Sequence, residues 1–396
     1  MEKRVFLLIL DSVGCGAMPD AGLYGDEGSD TIGHSAEALG GLDLPAMQKL
    51  GLGNIHPIMG VCPSPSPAAL WGRMAKKSPG KDTTTGHWEL AGHLVEEPFR
   101  VFPGGFPPEL MEELERKAGV AFIGNRPASG TVIIEELGQE HMATARPIIY
   151  TSADSVLQIA AHEKVIAPDR LYAICEIAGE VSRKYNIARV IARPFVGTAG
   201  SLARTYNRRD FSVTPGAKTM LDILTENGVD VTGVGKIGDI FAHRGVGREL
   251  HTEGNDDGAR VTLKLARSDG TRGLVFVNFV DFDMLYGHRR NAGGYGRALE
   301  KIDLFVSDLL ALMRGNDLAV ITADHGNDPT FPGTDHTREY VPVLIFGPLL
   351  EGGRGVGTRE TFADVAETIL QVFGLPPMGT GKAIPLKFHA QTGAPS

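Results

Sequence analysis

Short runs of β-branched and apolar residues recur along the chain: Val5–Leu10, Ala188–Ala192, Leu274–Val280, Leu318–Thr322 and Val341–Phe346. Runs of this length, with little polar alternation, predict strands buried on both faces. Helical patterns lie between them. Glu109–Ala118 follows Pro107 and Pro108, has acids in its first turn and Arg116 and Lys117 in its last, and is closed by Gly119. Those are helix start and stop signals, and Leu110 and Leu114 share one face. Leu299, Ile302, Val306, Leu309 and Met313 form an apolar stripe at helical spacing that ends at Gly315. Phe362–Phe373 reads as a further helix closed by Gly374. Strands alternating with helices predict an α/β fold with a mostly parallel central sheet and helices on both faces.

The stretch from about Arg100 to Val213 has a different character. It opens on a Pro- and Gly-rich loop, Phe102–Pro107, and closes near the basic stretch Arg204–Arg209. Its one clear strand, Ala188–Ala192, runs into Arg193, whereas strands outside it run into acids. We read it as an inserted α/β cap domain, residues 100–213, interrupting a core domain made of residues 1–99 and 214–396.

Composition narrows the function classes. The chain has 396 residues, which suits two or three domains at roughly 150 residues each. The net charge is −9, and basic residues occur as pairs such as Lys76–Lys77 and Arg208–Arg209, so no nucleic-acid partner is expected. No apolar run approaches the ~18 residues of a membrane helix, so no membrane partner is expected and the expected location is the cytoplasm. The three cysteines, Cys15, Cys62 and Cys175, are widely spaced and include no CxxC pair. They indicate neither a disulfide framework nor a thiolate zinc site. A monomer is expected.

The strand ends carry the chemistry. Val5–Leu10 runs into Asp11. Leu274–Val280 runs into Asp281 and Asp283, followed by His288. Leu318–Thr322 runs into Asp324 and His325, and His336 follows. In open α/β sheets ligands bind beyond the carboxyl ends of strands. A single Asp there is ordinarily a turn former, and a lone His an ordinary core or surface residue. Six such residues at three strand ends form a pattern: Asp11, Asp283, His288, Asp324, His325 and His336. Six carboxylate and imidazole ligands without cysteine suit two divalent ions of the Mn²⁺, Zn²⁺ or Fe²⁺ type. Such a set is too nitrogen-rich for Ca²⁺ and a poor match for Mg²⁺ alone. Ion pairs of this kind serve phosphoryl transfer and hydrolysis. The run Lys81–Glu89 supplies a candidate nucleophile in Thr83, Thr84 and Thr85, just before Gly86. The same hydroxyls are also good caps for a helix beginning near Gly86, and chemistry does not choose among them.

The motifs Asp-Ser-Val-Gly, Lys-Asp-Thr-x-Thr-Gly-His-Trp-Glu, Val-Asp-Phe-Asp-x-x-x-Gly-His-Arg-Arg and Thr-Ala-Asp-His-Gly-Asn-Asp-Pro with the following Gly-Thr-Asp-His-Thr-Arg-Glu-Tyr resemble those of the bacterial phosphopentomutases, in the alkaline phosphatase superfamily. The resemblance runs through essentially the whole chain, including Tyr150–His162 and Arg189–Gly197. It implies an alkaline-phosphatase-like core and assigns Thr83 as the nucleophile. It also implies that Asp283, His288 and His336 hold one Mn²⁺ and that Asp11, Asp324 and His325 hold the other. The implied reaction interconverts ribose 1-phosphate and ribose 5-phosphate, and the deoxyribose pair, through a phosphothreonine. Glucose 1,6-bisphosphate or ribose 1,5-bisphosphate would be the activator and sugar phosphates the partners.

A bisphosphate intermediate needs a second phosphate cradle, for which arginine is apt. Arg193, Arg204 and Arg208 in the insert and Lys236 just beyond it are the candidates, with Ser152, Asp154 and His162 for sugar hydroxyls. The insert is expected to act as a lid that excludes water. The principal alternative is a phosphatase or phosphodiesterase of the same superfamily, which would release inorganic phosphate. A serine-dependent phosphoglycerate mutase and a non-catalytic metal binder are more distant readings.

Overall fold

The computed structural model describes residues 3–151 and 155–389. Two compact units emerge, one of Met1–Glu97 with Pro215–Ser396 and the other of Pro98–Thr214.

The larger unit is built on an eight-stranded sheet. Its strand order is Arg248–Leu250, Val231–Val234, Gly273–Phe279, Arg4–Leu10, Asp317–Thr322, Val341–Phe346, Leu70–Met74 and Gly355–Arg359. Val341–Phe346 runs against both neighbours, and the other pairings are parallel. The three strands that end in acids are adjacent, with Leu10 level with Phe279 and Ile9 level with Thr322. All three are buried throughout, which explains their near-continuous apolar sequence. Helices Asn255–Arg267 and Ala292–Leu312 pack together with Thr31–Leu39 on one face, while Thr83–Leu90, Met220–Glu226 and Ala363–Phe373 form the other layer.

At the amino-terminal edge of this sheet Arg4 and Asp317 are register partners and form a buried bidentate pair. Arg4 Nε and Nη2 donate to the two Asp317 oxygens at 2.8 and 2.5 Å, and Nη1 donates to the Ala266 carbonyl at 2.9 Å. Asp317→Ala would leave the arginine charge buried without its counter-ion, so it is expected to destabilise the larger unit by about 3–5 kcal/mol. Denaturant unfolding of the variant checks this. A transition within about 1 kcal/mol of wild type would contradict it.

The smaller unit holds more strand than its sequence announces. Its sheet runs Ile123–Pro127, Ile148–Thr151, Val156–His162, Arg189–Thr198 and Ser201–Arg204, and Arg209–Ser212 also pairs with Arg189–Thr198. Alternation sorts its side chains. Ile149, Leu157 and Ile159 pack under helices Pro108–Ala118 and Pro168–Lys184, while Ile148, Tyr150 and Ala160 join Ile133 of helix Gly130–Thr144 on the other face. Both faces are covered, so neither strand shows the polar alternation that marks a half-exposed sheet. No described helix is long and apolar enough to cross a membrane.

Candidate metal centre

Because the three acid-ended strands are parallel neighbours, their carboxyl ends deliver Asp11, Asp283, Asp324 and His325 to one edge of the sheet. Asp11, Asp324 and His325 are 2% exposed or less, and Asp283 is 8% exposed. His325 Nε2 lies 3.5 Å from Asp11 Oδ1 and 3.3 Å from Asp324 Oδ2. A π-helical turn, Phe282–Gly287, follows the strand Gly273–Phe279 and turns Asp283 and His288 toward His336. His288 Nε2 is 3.1 Å from Asp283 Oδ2 and 3.2 Å from His336 Nε2, which is 3.3 Å from Asp283 Oδ1. All six residues therefore converge; the triads close enough to share one ion are Asp11, Asp324 and His325, and Asp283, His325 and His336, with His288 adjoining the second. His325 is thus common to both.

The surroundings of these side chains suit a metal ion. His325 Nδ1 is 3.1 Å from the Gly326 carbonyl and His288 Nδ1 is 2.7 Å from that of Thr334. An Nδ1–H donated to its carbonyl would leave Nε2 of each ring free to face a cation. Burial brings the His325 imidazole down to about 4, so it is neutral at pH 7. Burial, together with repulsion from Asp324 and Asp283, pushes the Asp11 carboxyl well above the usual carboxylate range. Asp11 Oδ1 and Asp324 Oδ2 are buried, and neither accepts a well-formed hydrogen bond among the described residues, although His87 Nδ1 stands 3.1 Å from Asp324 Oδ2. Unpaired carboxylate oxygens beside a neutral imidazole fit a divalent cation, which satisfies all of them together.

Partners that sequence reasoning missed hold the remaining oxygens. Asn278 Nδ2 donates to Asp11 Oδ2 at 2.8 Å, Asn327 Nδ2 to Asp283 Oδ1 at 2.7 Å, and the Ser12 amide to Asp324 Oδ1 at 3.1 Å. Ser12 has φ +74°, a left-handed conformation uncommon outside glycine, and it aims that amide at Asp324. His87 is fully buried, with Nδ1 3.0 Å from the Thr83 carbonyl and 3.1 Å from Asp324 Oδ2. It ties the threonine helix to the cluster. Asn278 had a legible signal, a lone amide inside an otherwise apolar strand.

The helix of the threonines spans Thr83–Leu90 and is capped by Asp82, not by a threonine near Gly86. Asp82 Oδ1 accepts from the Thr85 amide at 3.0 Å and Oδ2 from the Thr85 hydroxyl at 2.8 Å. Lys76 Nζ donates to the same hydroxyl at 2.9 Å. Thr85 is thereby committed to the cap. Thr83 Oγ1 instead meets His325 Nε2 at 3.1 Å. Asp281 is used structurally, its carboxylate accepting from the Asn255 backbone amide at 2.7 Å.

The remaining candidates are distributed over both units. Lys236 lines a cavity of about 390 Å³ with Asp239, His251, Thr252 and Asp281 in the larger unit, and its charge acts on the Asp11 carboxyl. In the smaller unit Arg193 is half-buried with Nε 3.1 Å from Gln158 Oε1, and Arg204 is exposed. Arg208 is exposed with two bonds of 2.7 Å to Asp210, so its fork is already occupied by a carboxylate. The buried Tyr150 hydroxyl accepts and donates no hydrogen bond among the described residues and feels the charges of all three arginines. His162 is spent on backbone, its Nε2 3.1 Å from the Gly197 carbonyl and its Nδ1 accepting from the Lys164 amide at 3.2 Å. Ser152 and Asp154 lie outside the described residues.

Residues 3–377 match the model of the metalloenzyme superfamily. A phosphopentomutase of Caldanaerobacter subterraneus subsp. tengcongensis is 52% identical over 392 residues, 98% of this chain and 99% of that one. A phosphopentomutase of Carboxydothermus hydrogenoformans is 54% identical over 382 residues, 96% of this chain and 98% of that one. The fold is similar to the PH0037 protein from Pyrococcus horikoshii, with TM-score 0.50 and 16% identity over 94% of this chain and 98% of that one. Full-length relatedness at this identity, on a core that brings Asp11, Asp283, Asp324, His325 and His336 within the reach of a metal ion at one sheet edge, places the chain in the phosphopentomutase family of isomerases, within the metalloenzyme superfamily.

Proposed function

We propose that the chain interconverts ribose 1-phosphate and ribose 5-phosphate, and the deoxyribose pair, through a phosphothreonine at Thr83. The observation that carries this reading is the Thr83 hydroxyl on the first residue of its helix, 3.1 Å from His325 Nε2, while Thr85 is held in the cap. Asp283, His288 and His336 would hold one divalent ion and Asp11, Asp324 and His325 the other, with Mn²⁺ as the proposed metal. When bound, such a pair lowers the pKa of a nearby hydroxyl and offsets charge on a phosphoryl group.

The chain's own residues do the rest. His87 holds the Thr83 carbonyl and thus the direction of its side chain. The helix amino terminus favours the negative charge of a phosphorylated Thr83. From there the phosphoryl group passes to the free hydroxyl of the sugar phosphate. The phosphorus–oxygen bond to threonine breaks as the bond to the sugar forms, the sugar hydroxyl losing a proton and Thr83 regaining one. The resulting bisphosphate returns its other phosphoryl group to Thr83 by the reverse exchange. A bisphosphorylated sugar such as glucose 1,6-bisphosphate supplies the first phosphoryl group. Arg193 and Arg204 are the proposed cradle of the phosphate that is not being transferred, and Lys236 a proposed contact of the sugar phosphate.

The test supplies Mn²⁺-loaded protein with ribose 1-phosphate and catalytic glucose 1,6-bisphosphate, and follows ribose 5-phosphate and inorganic phosphate together. Ribose 5-phosphate without stoichiometric inorganic phosphate is expected. Inorganic phosphate as the main product would replace the mutase with a phosphatase. Arg193→Ala is expected to lower kcat/KM roughly 10–100-fold, the equivalent of one charge-assisted hydrogen bond of about 1.5–3 kcal/mol. Mn²⁺ binding should be unchanged in that variant. Unchanged kcat/KM would remove Arg193 from the cradle.

A further inference from the structure

We propose that Arg290 is a positioning residue that sets the metal affinity of the Asp283–His288–His336 group independently of the Asp11–Asp324–His325 group. This rests on the two-ion reading of the site.

Arg290 touches none of the six ligand side chains, yet its guanidinium gathers the backbone that carries three of them. Nε donates to the Gly333 carbonyl at 2.5 Å and Nη2 to that of Asp335 at 3.1 Å. Nη1 donates to the carbonyls of Gly287 and Asp328 at 3.3 and 2.8 Å, and to Asn327 Oδ1 at 2.7 Å. One side chain thus joins the end of the π-helical turn, which precedes His288, to the loop 327–336, which ends at His336. The His288 ring is anchored in the same loop, through the Thr334 carbonyl.

The Asn327 contact reaches further. An amide whose oxygen accepts from Arg290 must present its nitrogen the other way, and that nitrogen donates to Asp283 Oδ1 at 2.7 Å. Arg290 therefore fixes which end of Asn327 faces the Asp283 carboxylate. Asn327 is fully buried, and a Cβ on Gly287 would stand 2.7 Å from its Nδ2, so glycine is what lets the turn pack on this amide. Arg290 itself has φ +53°, an uncommon backbone conformation for a non-glycine residue. Five hydrogen bonds from its side chain hold it there. The other group is oriented by different partners: Asn278 for Asp11, the Ser12 amide for Asp324 and the Gly326 carbonyl for His325. Among the described residues none of those partners bonds Arg290.

Outer partners of metal ligands typically change affinity 10–100-fold. The test titrates Mn²⁺ into chelator-treated full-length protein, followed by calorimetry and by the electron paramagnetic resonance of free Mn²⁺. Wild type is expected to take up two ions. Arg290→Met is expected to keep one at wild-type affinity and to bind the other 10–100-fold more weakly. Asn327→Ala should weaken the same ion, and the double variant should lose less than the product of the two single losses, because one acts through the other. Arg290→Lys, which keeps the charge but not the fork, should fall between. Should Arg290→Met fail to fold, the lysine and Asn327 variants carry the comparison. Equal weakening of both ions, or of neither, overturns the proposal while leaving the two-ion site standing. A wild-type chain that takes up fewer than two ions overturns both.

Discussion

Thr83→Ala is expected to abolish both phosphoryl incorporation into the protein and mutase turnover, the latter by about 10⁴-fold or more, the scale of losing a covalent nucleophile. The neighbouring hydroxyls should not rescue it. Thr85 Oγ1 is engaged by both Asp82 Oδ2 and Lys76 Nζ, at 2.8 and 2.9 Å, and the residue is fully buried. Freeing it would break the helix cap and leave the buried Lys76 ammonium with the Asp82 carbonyl, at 3.3 Å, in place of its closer acceptor. Thr84 lies one residue further along the helix, about 100° around its axis from Thr83, so its side chain does not share the direction of Thr83. Thr83→Ser keeps the hydroxyl and should retain most activity, losing only the χ1 restriction of a β-branched side chain. Mn²⁺ uptake by Thr83→Ala should stay near wild type, since the six side chains proposed as ligands are untouched. Transfer of label from glucose 1,6-bisphosphate to the protein, read with peptide mapping, checks the assignment. Label retained in Thr83→Ala, at Thr84 or Thr85, would move the nucleophile to that residue.

How far this site was legible follows from what local sequence encodes. Apolar runs ending in Asp mark buried strands with polar groups at the carboxyl ends, so Asp11, Asp283 and Asp324 were visible one at a time. Their adjacency was not, because the neighbouring of Arg4–Leu10 with both Gly273–Phe279 and Asp317–Thr322 is a long-range pairing. Family resemblance, not chemistry, singled out Thr83. In the structure Asp82 rather than a threonine is the cap, and it engages Thr85.

The outer partners were harder to read. Asn327 and His87 lay inside quoted motifs, but a histidine or asparagine next to a ligand carries no mark of which way its ring or amide points. That direction is set by contacts from distant segments, such as Arg290 on Asn327. The smaller unit illustrates a different limit. Strands covered on both faces, Ile148–Thr151 and Val156–His162, lack alternation, and helix Pro168–Lys184 was passed over despite proline at its first position. His162 was offered for sugar hydroxyls on residue type, whereas both of its ring nitrogens are bonded to backbone.

Asp11→Asn is expected to raise the melting temperature of the metal-free protein while costing it an ion and its turnover. Asp11, Asp324 and Asp283 bring three carboxylates together in a buried space. Burial, with repulsion from the other two, pushes the Asp11 carboxyl well above its ordinary 3.8. A carboxyl whose pKa is raised on folding opposes the fold at any pH where the unfolded chain would ionise it. That penalty is absent below about pH 3.8, grows as pH rises toward the raised folded value, and is complete above it. Asparagine removes the charge and keeps the shape. Its Oδ1 takes over the bond from Asn278 that Asp11 Oδ2 accepts at 2.8 Å, and its amide nitrogen points at the neutral His325 Nε2, 3.5 Å from the Asp11 Oδ1 it replaces. In chelator at pH 7 the variant should melt a few degrees above wild type, about 2–4 °C per kcal/mol for a unit of this size. The gain should shrink as pH falls toward 4. Added Mn²⁺ should reverse the order, because stabilisation by a ligand grows with its affinity for the folded state and wild type keeps the full ligand set. Turnover should fall by more than the roughly 10–100-fold typical of losing an outer partner, since a ligand itself is lost. Thermal melts of both proteins in chelator and in Mn²⁺, at pH 5 and pH 7, give the four comparisons. A variant less stable than wild type in chelator at pH 7 would mean that folding does not penalise the Asp11 carboxyl and that the cluster does not depend on a cation for its charge balance.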